Sequence, residues 1–116
     1  MQIEILKNTV RLRGTPAEIQ AAADGVPAAA EITRSSKRRN KTFCGVLETA
    51  CGGEDDLIAA TADGARLTLS DDNTGLLRRH AATAARSGLP VSCELADLAD
   101  AASGRSLCFY LFVEAV

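Results

Sequence analysis

This chain of 116 residues has no tryptophan, and it has only one histidine, one tyrosine and three phenylalanines. The single histidine, His80, falls inside a predicted helix, whereas the cysteines fall on predicted strands, so no Cys–His nucleophile pair is expected. No Gly-rich phosphate loop is present, because Gly52 and Gly53 precede acidic residues, which have the wrong charge for phosphate. The sequence therefore predicts a protein that is not an enzyme.

The four cysteines do not form a metal-binding pattern. Cys44, Cys51, Cys93 and Cys108 are separated by 7, 42 and 15 positions, so the chain contains no Cys-x-x-Cys pair. The acidic stretch 54–56 lacks the ligand spacing of a calcium loop. We therefore expect no metal and no other cofactor.

Long hydrophobic runs are also absent. No apolar stretch approaches the roughly 20 residues that span a bilayer. The first four residues lack the basic start and apolar run of a signal peptide. We expect a cytoplasmic protein with reduced thiols and no membrane partner.

The charges that are present lie unevenly along the chain. Residues 1–41 carry eight Lys or Arg and four Asp or Glu, a net charge of +4. Residues 42–116 carry five Arg and eleven Asp or Glu, a net charge of −6. This asymmetry predicts two surfaces of opposite charge, each suited to a different kind of partner.

Residues 1–33 read as a β-hairpin followed by a helix. Apolar and polar residues alternate over 2–6 and 9–13, with Lys7 and Asn8 at the turn. Thr15 and Glu18 form a Thr-x-x-Glu capping box for the helix, and Pro16 suits its first position. The next segment, 34–41, holds five positive charges and no apolar residue, so we expect a solvated basic loop.

Residues 42–116 contain five predicted strands, at 42–50, 57–62, 65–70, 90–96 and 106–115. A helix is predicted from Thr74 to Ser87, capped by Asp71, Asp72 or Asn73. Three strands, a helix and two strands resemble in order the OB-fold barrel, and Gly45 inside the first strand suits its sharp coiling. The predicted fold is therefore α+β: an OB-like five-stranded antiparallel barrel over 42–116, preceded by the hairpin and helix, all in one compact unit.

The OB-fold resemblance implies binding of oligonucleotides or oligosaccharides on strands two and three. These strands carry no aromatic residue here, and the loop after the first strand is acidic. The last strand instead has two apolar faces, one of which presents Tyr110 and Phe112. We expect the N-terminal hairpin or helix to cover these rings through Ile3, Ile5 and Ile19; otherwise they form a partner surface.

Two functions are compatible with these features. The first is a non-catalytic protein-interaction module, similar in size and composition to small inhibitors or adaptors of phages and mobile elements. It would block a partner's surface through its acidic loops or its last-strand aromatics. The alternative is an OB-like protein that binds single-stranded nucleic acid through the basic segment, which could also fold back on the chain's own acidic body. The sequence leaves the oligomeric state open. The candidate interaction residues are Arg34, Lys37, Arg38, Arg39, Lys41, Glu54, Asp55, Asp56, Tyr110 and Phe112.

Overall fold

Eight strands and two helices follow one another along the chain in the computed structural model. It describes residues 1–115, without the side chain of Ser36, so Val116 of the predicted segment 42–116 lies outside the described residues. The first half contains β1 (Gln2–Ile5), β2 (Thr9–Gly14), α1 (Pro16–Ala23), β3 (Ala28–Ser36) and β4 (Arg39–Cys51). The second half contains β5 (Leu57–Ala60), β6 (Gly64–Leu69), α2 (Asp71–Ser87), β7 (Val91–Asp100) and β8 (Ser106–Val113).

All eight strands form one closed barrel in the order β1-β2-β8-β7-β5-β6-β4-β3, with β3 returning to β1. The four hairpins pair antiparallel: β1–β2, β3–β4, β5–β6 and β7–β8. The four remaining pairings, β1–β3, β2–β8, β4–β6 and β5–β7, are parallel. An eight-stranded barrel is just wide enough for side chains to fill its interior.

These pairings give the barrel two different ends. Odd-numbered strands run one way and even-numbered strands run the other, so all four hairpin turns lie at one end, here called the hairpin end. Both helices and the acidic loop 52–56 lie at the opposite end, here called the helix end. There α1 packs against α2, and Arg78 of α2 pairs with Asp24 at the end of α1.

The core is built by strict alternation along the strands. In β8, Leu107, Phe109, Leu111 and Val113 are buried, as the sequence predicts for that face. Ile19 from α1 and Leu77 from α2 belong to the same buried cluster as the strand residues. The two helices therefore close the helix end of the barrel with apolar side chains.

Both helices begin at a hydroxyl residue that caps the first turn. The predicted capping box of α1 is confirmed, because Thr15 accepts from the backbone N–H of Glu18 while the Glu18 side chain accepts from that of Thr15. The predicted start of α2 is wrong by three residues. Its cap is Ser70, whose Oγ accepts from the N–H of Asn73. Asp71 and Asp72 lie in the first turn, where negative charge favours the positive end of the helix dipole.

The element order ββαββ occurs twice, once in each half of the chain. The two halves are offset by 55 residues over the first two strands and the helix cap. With this offset, Ile3 corresponds to Ile58, Leu12 to Leu67 and Thr15 to Ser70. The paired residues Ile3 and Leu12 are buried in the first half, as are Ile58 and Leu67 in the second. The sequence shows no such repeat, since few residues match, but every strand pairing of one half has its counterpart in the other.

Equivalent hydrogen bonds support this internal repeat. The carbonyl of Met1 accepts from Glu31 N–H at 3.0 Å, and the carbonyl of Asp56, 55 residues later, accepts from Ala99 N–H at 2.9 Å. In each half, the side chain of the third helix residue also binds the residue that precedes the first strand of that half. Glu18 Oε2 contacts the Met1 amino group at 2.7 Å, and Asn73 donates to Asp56 Oδ1 at 3.0 Å. We infer that the two halves are copies of one structural unit around an approximate two-fold axis.

Two finer predictions of the fold are wrong, although the coarser one, an α+β chain with a small barrel, is confirmed. The barrel has eight strands rather than five OB-like ones, because the N-terminal hairpin and β3 are themselves barrel strands. The basic segment 34–41 is not a loop. Residues 34–36 pair with residues 39–41 across β3 and β4, with Lys37 and Arg38 at the turn, and the backbone hydrogen bonds of a hairpin do not require apolar side chains. No helix among the described residues has the length and apolar character to cross a membrane.

The Glu18 carboxylate makes stability depend on pH in a defined direction. Its bond to the Met1 amino group, followed by that from Thr15 N–H, holds its pKa below the ordinary value of 4.5. A lowered folded-state pKa contributes stability above the unfolded value, and this contribution is lost as pH falls through the folded-state value. Urea unfolding should therefore show a smaller loss of stability between pH 6 and pH 3 in Glu18→Gln than in the parent. Equal losses would contradict this role.

Candidate functional site

Strands β3 and β4 form a hairpin that carries the basic cluster of the sequence. Arg34 pairs with Lys41, and Ile32 pairs with Phe43, so these four side chains share the face that continues the barrel interior. Thr33 and Thr42 occupy the opposite face, where their hydroxyls lie 3.0 Å apart. We call residues 32–43 the basic hairpin.

Phe43 adds an aromatic ring to this cationic face. Its side chain is 36% exposed, although its pairing partner Ile32 is fully buried. The hairpin therefore reaches beyond the filled part of the barrel at this point. The alternation of β4 continues through Gly45 and brings Phe43 and Lys41 to the same face.

A cavity of about 560 Å³ opens at the hairpin end of the barrel. Four cationic side chains from three of the hairpins line it: Lys7, Arg34, Lys37 and Arg105. Apolar residues, including Ile58 and Leu107, also line it, and both are buried. Among the described residues, the buried Nε of Arg34 has no hydrogen-bond partner. We call this the mouth cavity.

Asp100 is the only acidic residue that lines the mouth cavity among the described residues. Its carboxylate is already engaged by the β7–β8 turn, since Oδ1 accepts from Ala102 N–H and Oδ2 from the hydroxyl of Ser103. Arg105 Nη2 donates to Asn8 Oδ1 at 2.8 Å, which ties the first hairpin turn to the last. The cavity is therefore cationic, and hydrogen bonds hold part of its rim.

A second surface lies on the outside of the barrel, on β2, β8 and β7. Tyr110 is 39% exposed and is paired with Arg11 on one side and Glu94 on the other. The guanidinium of Arg13 lies 4.5 Å from the ring centroid of Phe112 and also pairs with Glu114 at 3.1 Å. We call this surface the aromatic wall.

The expected cover over the aromatic wall is wrong. The N-terminal hairpin does not lie over Tyr110 and Phe112, because β2 is hydrogen-bonded beside β8 in the same sheet. Ile3 and Ile19 are buried in the barrel core instead. The wall includes a shallow cavity of about 520 Å³ that is lined by side chains of β2, β7 and β8 and by Glu4 of β1.

Acidic groups border one side of the aromatic wall. Ligand atoms of Glu94, Asp97 and Cys108 lie within 4.8 Å of one another. The Asp97 carboxylate also accepts a hydrogen bond from Ser106 at 3.1 Å. The negative charge of Glu94 is the largest cause that raises the pKa of the Tyr110 hydroxyl. Tyr110 therefore remains a neutral hydrogen-bonding group at physiological pH.

The acidic candidates lie at the helix end, opposite the basic hairpin. Glu54 and Asp55 are exposed in the loop 52–56, which connects β4 to β5. Asp56 is half-buried and accepts from Ser70 N–H at 2.8 Å as well as from Asn73, so it stabilises the fold. The topology thus separates the two charged segments, and the basic segment does not fold back on this acidic loop.

The predicted interaction residues therefore divide among three places. The basic ones, Arg34, Lys37, Arg38, Arg39 and Lys41, are brought together on the basic hairpin. Tyr110 and Phe112 share the aromatic wall, and the acidic ones lie at the helix end. Sequence reasoning missed Lys7 and Arg105, whose positions in separate hairpin turns become neighbours only when the barrel closes. The sequence feature that could have identified both residues is that each lies in a turn between two strands.

Cys93 lies half-buried on β7. Burial raises the pKa of the Cys93 thiol, which lowers its fraction of reactive thiolate. His80 is half-buried on α2 at the helix end.

Comparisons with family models, with curated proteins and with solved structures find no match to this chain. Function must therefore be argued from the mouth cavity, the basic hairpin and the aromatic wall.

Proposed function

We propose that this chain is a non-catalytic interaction module that docks a protein partner on its aromatic wall. The observation that carries the proposal is the exposed ring of Tyr110, flanked by Arg11 and by the stacked pair of Arg13 and Phe112. Tyrosine, phenylalanine and arginine are the residue types enriched at the centre of protein interfaces, where they contribute most of the binding energy.

The charges of the wall favour a protein over a nucleic acid. Arg11 and Arg13 lie among carboxylates of the neighbouring strands, which are those of Glu4, Glu94 and Glu114. Asp97 adds a further negative charge at the edge. A polyanion would be repelled by the carboxylates, whereas a protein surface can present charges of both signs. Complementary pairs of this kind set orientation and association rate more than affinity.

The backbone of the wall is held in place by strand pairing. Tyr110 and Phe112 lie on β8, which is hydrogen-bonded to β2 on one side and to β7 on the other. Because the Arg13 guanidinium covers Phe112 and is itself held by Glu114, less side-chain entropy remains to be lost on binding. The barrel is closed, so a partner would dock on side chains rather than add a strand to an open edge.

This arrangement suits an inhibitor or an adaptor. A small rigid barrel that covers a partner's surface blocks it by its bulk and needs no chemistry of its own. The acidic side chains at the helix end, including Glu54 and Asp55, would then steer a basic partner from a distance.

The test pairs two exposed aromatic residues on different surfaces. A photoreactive benzoylphenylalanine at Tyr110 captures the partner in the cells that produce the chain, and mass spectrometry identifies it. Calorimetry with the purified partner should then show Tyr110→Ala binding at least about tenfold more weakly, about 1.4 kcal/mol. Phe43→Ala, the matched control on the basic hairpin, should change affinity less than about twofold. A loss confined to Phe43→Ala would contradict the proposal.

A second candidate function, binding of single-stranded nucleic acid, is favoured by the basic hairpin. Phe43 shares a face with Arg34 and Lys41, so one surface offers a ring for base stacking beside cations for phosphates. Arg38 and Lys37 at the tip of the hairpin extend the positive charge. We rank this function second because a single exposed ring supplies one stacking platform, whereas single-strand binding surfaces stack several bases in succession.

A further inference from the structure

We propose that the mouth cavity is a binding site for a small organic phosphate, with the phosphate held by Arg34, Lys37 and Arg105. This inference does not depend on the proposed protein docking, because the cavity lies at the hairpin end and the aromatic wall lies on the side of the barrel. The proposal follows from the charge of the cavity, from its apolar lining and from the hydrogen bonding of Arg34.

The charge of the mouth cavity favours a strongly anionic ligand. Four cationic side chains line the cavity: Lys7, Arg34, Lys37 and Arg105. The one carboxylate among the described lining residues is that of Asp100, whose oxygens already accept hydrogen bonds within the β7–β8 turn. The resulting excess of three positive charges matches a dianionic phosphate better than a single carboxylate. Arginine supplies paired N–H donors in a planar fork, which is the geometry that phosphate oxygens accept.

Arg34 has the hydrogen-bonding deficit that such a ligand would relieve. Its Nε is buried and makes no hydrogen bond within the part of the chain that the structure describes. A buried N–H of a charged group that lacks a partner costs free energy. An anion in the cavity would place a strong acceptor beside this guanidinium and offset that cost.

The lining selects for an apolar body attached to the phosphate. Ile5, Leu6, Ile58 and Leu107 line the cavity together with the cations. Its volume of about 560 Å³ falls within the range of cavities that hold small organic ligands. Inorganic phosphate would leave the apolar lining in contact with water, so a phosphate monoester with an aromatic or aliphatic group fits better.

The hairpin turns provide a rigid frame for part of this site. Arg105 is held by Asn8, which links the first and last turns, and the β7–β8 turn is closed by Asp100. Lys37 instead lies at the tip of the basic hairpin. Its side chain already lines the cavity, so it can contact a ligand without a rearrangement of the strands.

The experiment uses phenyl phosphate as the probe, with inorganic phosphate and phenol for comparison. An NMR titration of the whole chain should show phenyl phosphate binding at least about fivefold more tightly than inorganic phosphate, because the ring contacts the apolar lining. Phenol should not bind. Amide signals of Lys7, Ser35 and Ser103 should shift, whereas signals of the aromatic wall should not.

Matched variants separate the cavity from general surface charge. Arg34→Gln should weaken phenyl phosphate binding at least about tenfold. Arg38→Gln removes the same charge from the same hairpin but does not line the cavity. It should change the affinity less than about twofold. Lys37→Gln is a second cavity variant at an exposed position, which tests the site if Arg34→Gln lowers the melting temperature.

Two results would overturn the inference. One is the absence of phenyl phosphate binding up to about 10 mM at low salt. The other is equal weakening by Arg34→Gln and Arg38→Gln, which would show unspecific attraction. A labelled oligothymidylate of about 20 nucleotides forms the last arm. If it binds while phenyl phosphate does not, and if both arginine variants weaken it equally, the basic hairpin binds nucleic acid along its length and the cavity is not a site.

Discussion

Replacement of Gly64 by alanine should lower the free energy of unfolding by about 3 kcal/mol. A Cβ at this position would stand 2.9 Å from the backbone nitrogen of Val46, closer still to the Val46 carbonyl oxygen, and 2.7 Å from Ile32 Cδ1. Two of these neighbours are backbone atoms of β4, which is paired with β6 at this point. The added methyl group therefore forces apart two strands that join the two halves of the barrel.

Gly75→Ala is the control for Gly64→Ala, since it adds the same methyl group where there is space. Gly75 lies inside α2, and a Cβ there would meet no atom within 4 Å. Alanine is the better helix former, so this variant should raise stability by about 0.5 to 1 kcal/mol. Chemical denaturation measures both changes. If Gly64→Ala were neutral, the close approach of β4 and β6 would not exist as described.

The local elements could be predicted because their signals are local. Alternation in 2–6 and 9–13 identified the first hairpin, and Thr15 with Glu18 identified the start of α1. Gly88 ends α2 in a left-handed conformation, as its place after the helical pattern indicates. Each of these features depends on contacts between residues that are close in sequence, such as a turn or a cap.

The barrel could not be predicted because its closure depends on parallel pairings between distant strands. Ile3 lies beside Ile32, and Val10 lies beside Phe109, yet nothing in these short strands specifies such partners. The repeat was equally hidden. Each half needs only a buried residue at an equivalent position, which Val10 and Ala65 satisfy with side chains of different size.

The candidate sites could be predicted only as separate segments. The basic charges and the last-strand aromatics were visible in the sequence, and both lie on exposed surfaces. Their grouping was not visible, because Lys7 and Arg105 come from turns 98 positions apart that meet at the hairpin end. Alternation from Gly45 back to Phe43 and Lys41 was a usable signal. It was obscured by the density of charge, which suggested a loop instead of a strand.

Replacement of Asn73 by alanine should lower the free energy of unfolding by about 3 to 4 kcal/mol. Asn73 is fully buried, and its side chain joins three parts of the second half. Nδ2 donates to Asp56 Oδ1 at 3.0 Å and to the Ala96 carbonyl at 3.1 Å, while Oδ1 accepts from Ala96 N–H at 3.1 Å. The variant removes two hydrogen bonds to the Ala96 backbone, each contributing about 1 kcal/mol, and one to a carboxylate, contributing about 1.5 to 3 kcal/mol. Asp56 Oδ1 then keeps only the N–H of Ser70 as a partner.

The equivalent position in the first half supplies the control for Asn73→Ala. Glu18 binds the residue before β1 as Asn73 binds the residue before β5, but its side chain is 38% exposed, so water can replace its partners. Glu18→Ala should therefore cost only about 1 kcal/mol. Urea unfolding of both variants measures the difference. Asp56→Ala combined with Asn73→Ala should cost less than the sum of the single changes, because the two residues act through one hydrogen bond. Additive losses, or equal effects at Asn73 and Glu18, would contradict the role of Asn73 as the buried link between α2, β7 and the start of β5.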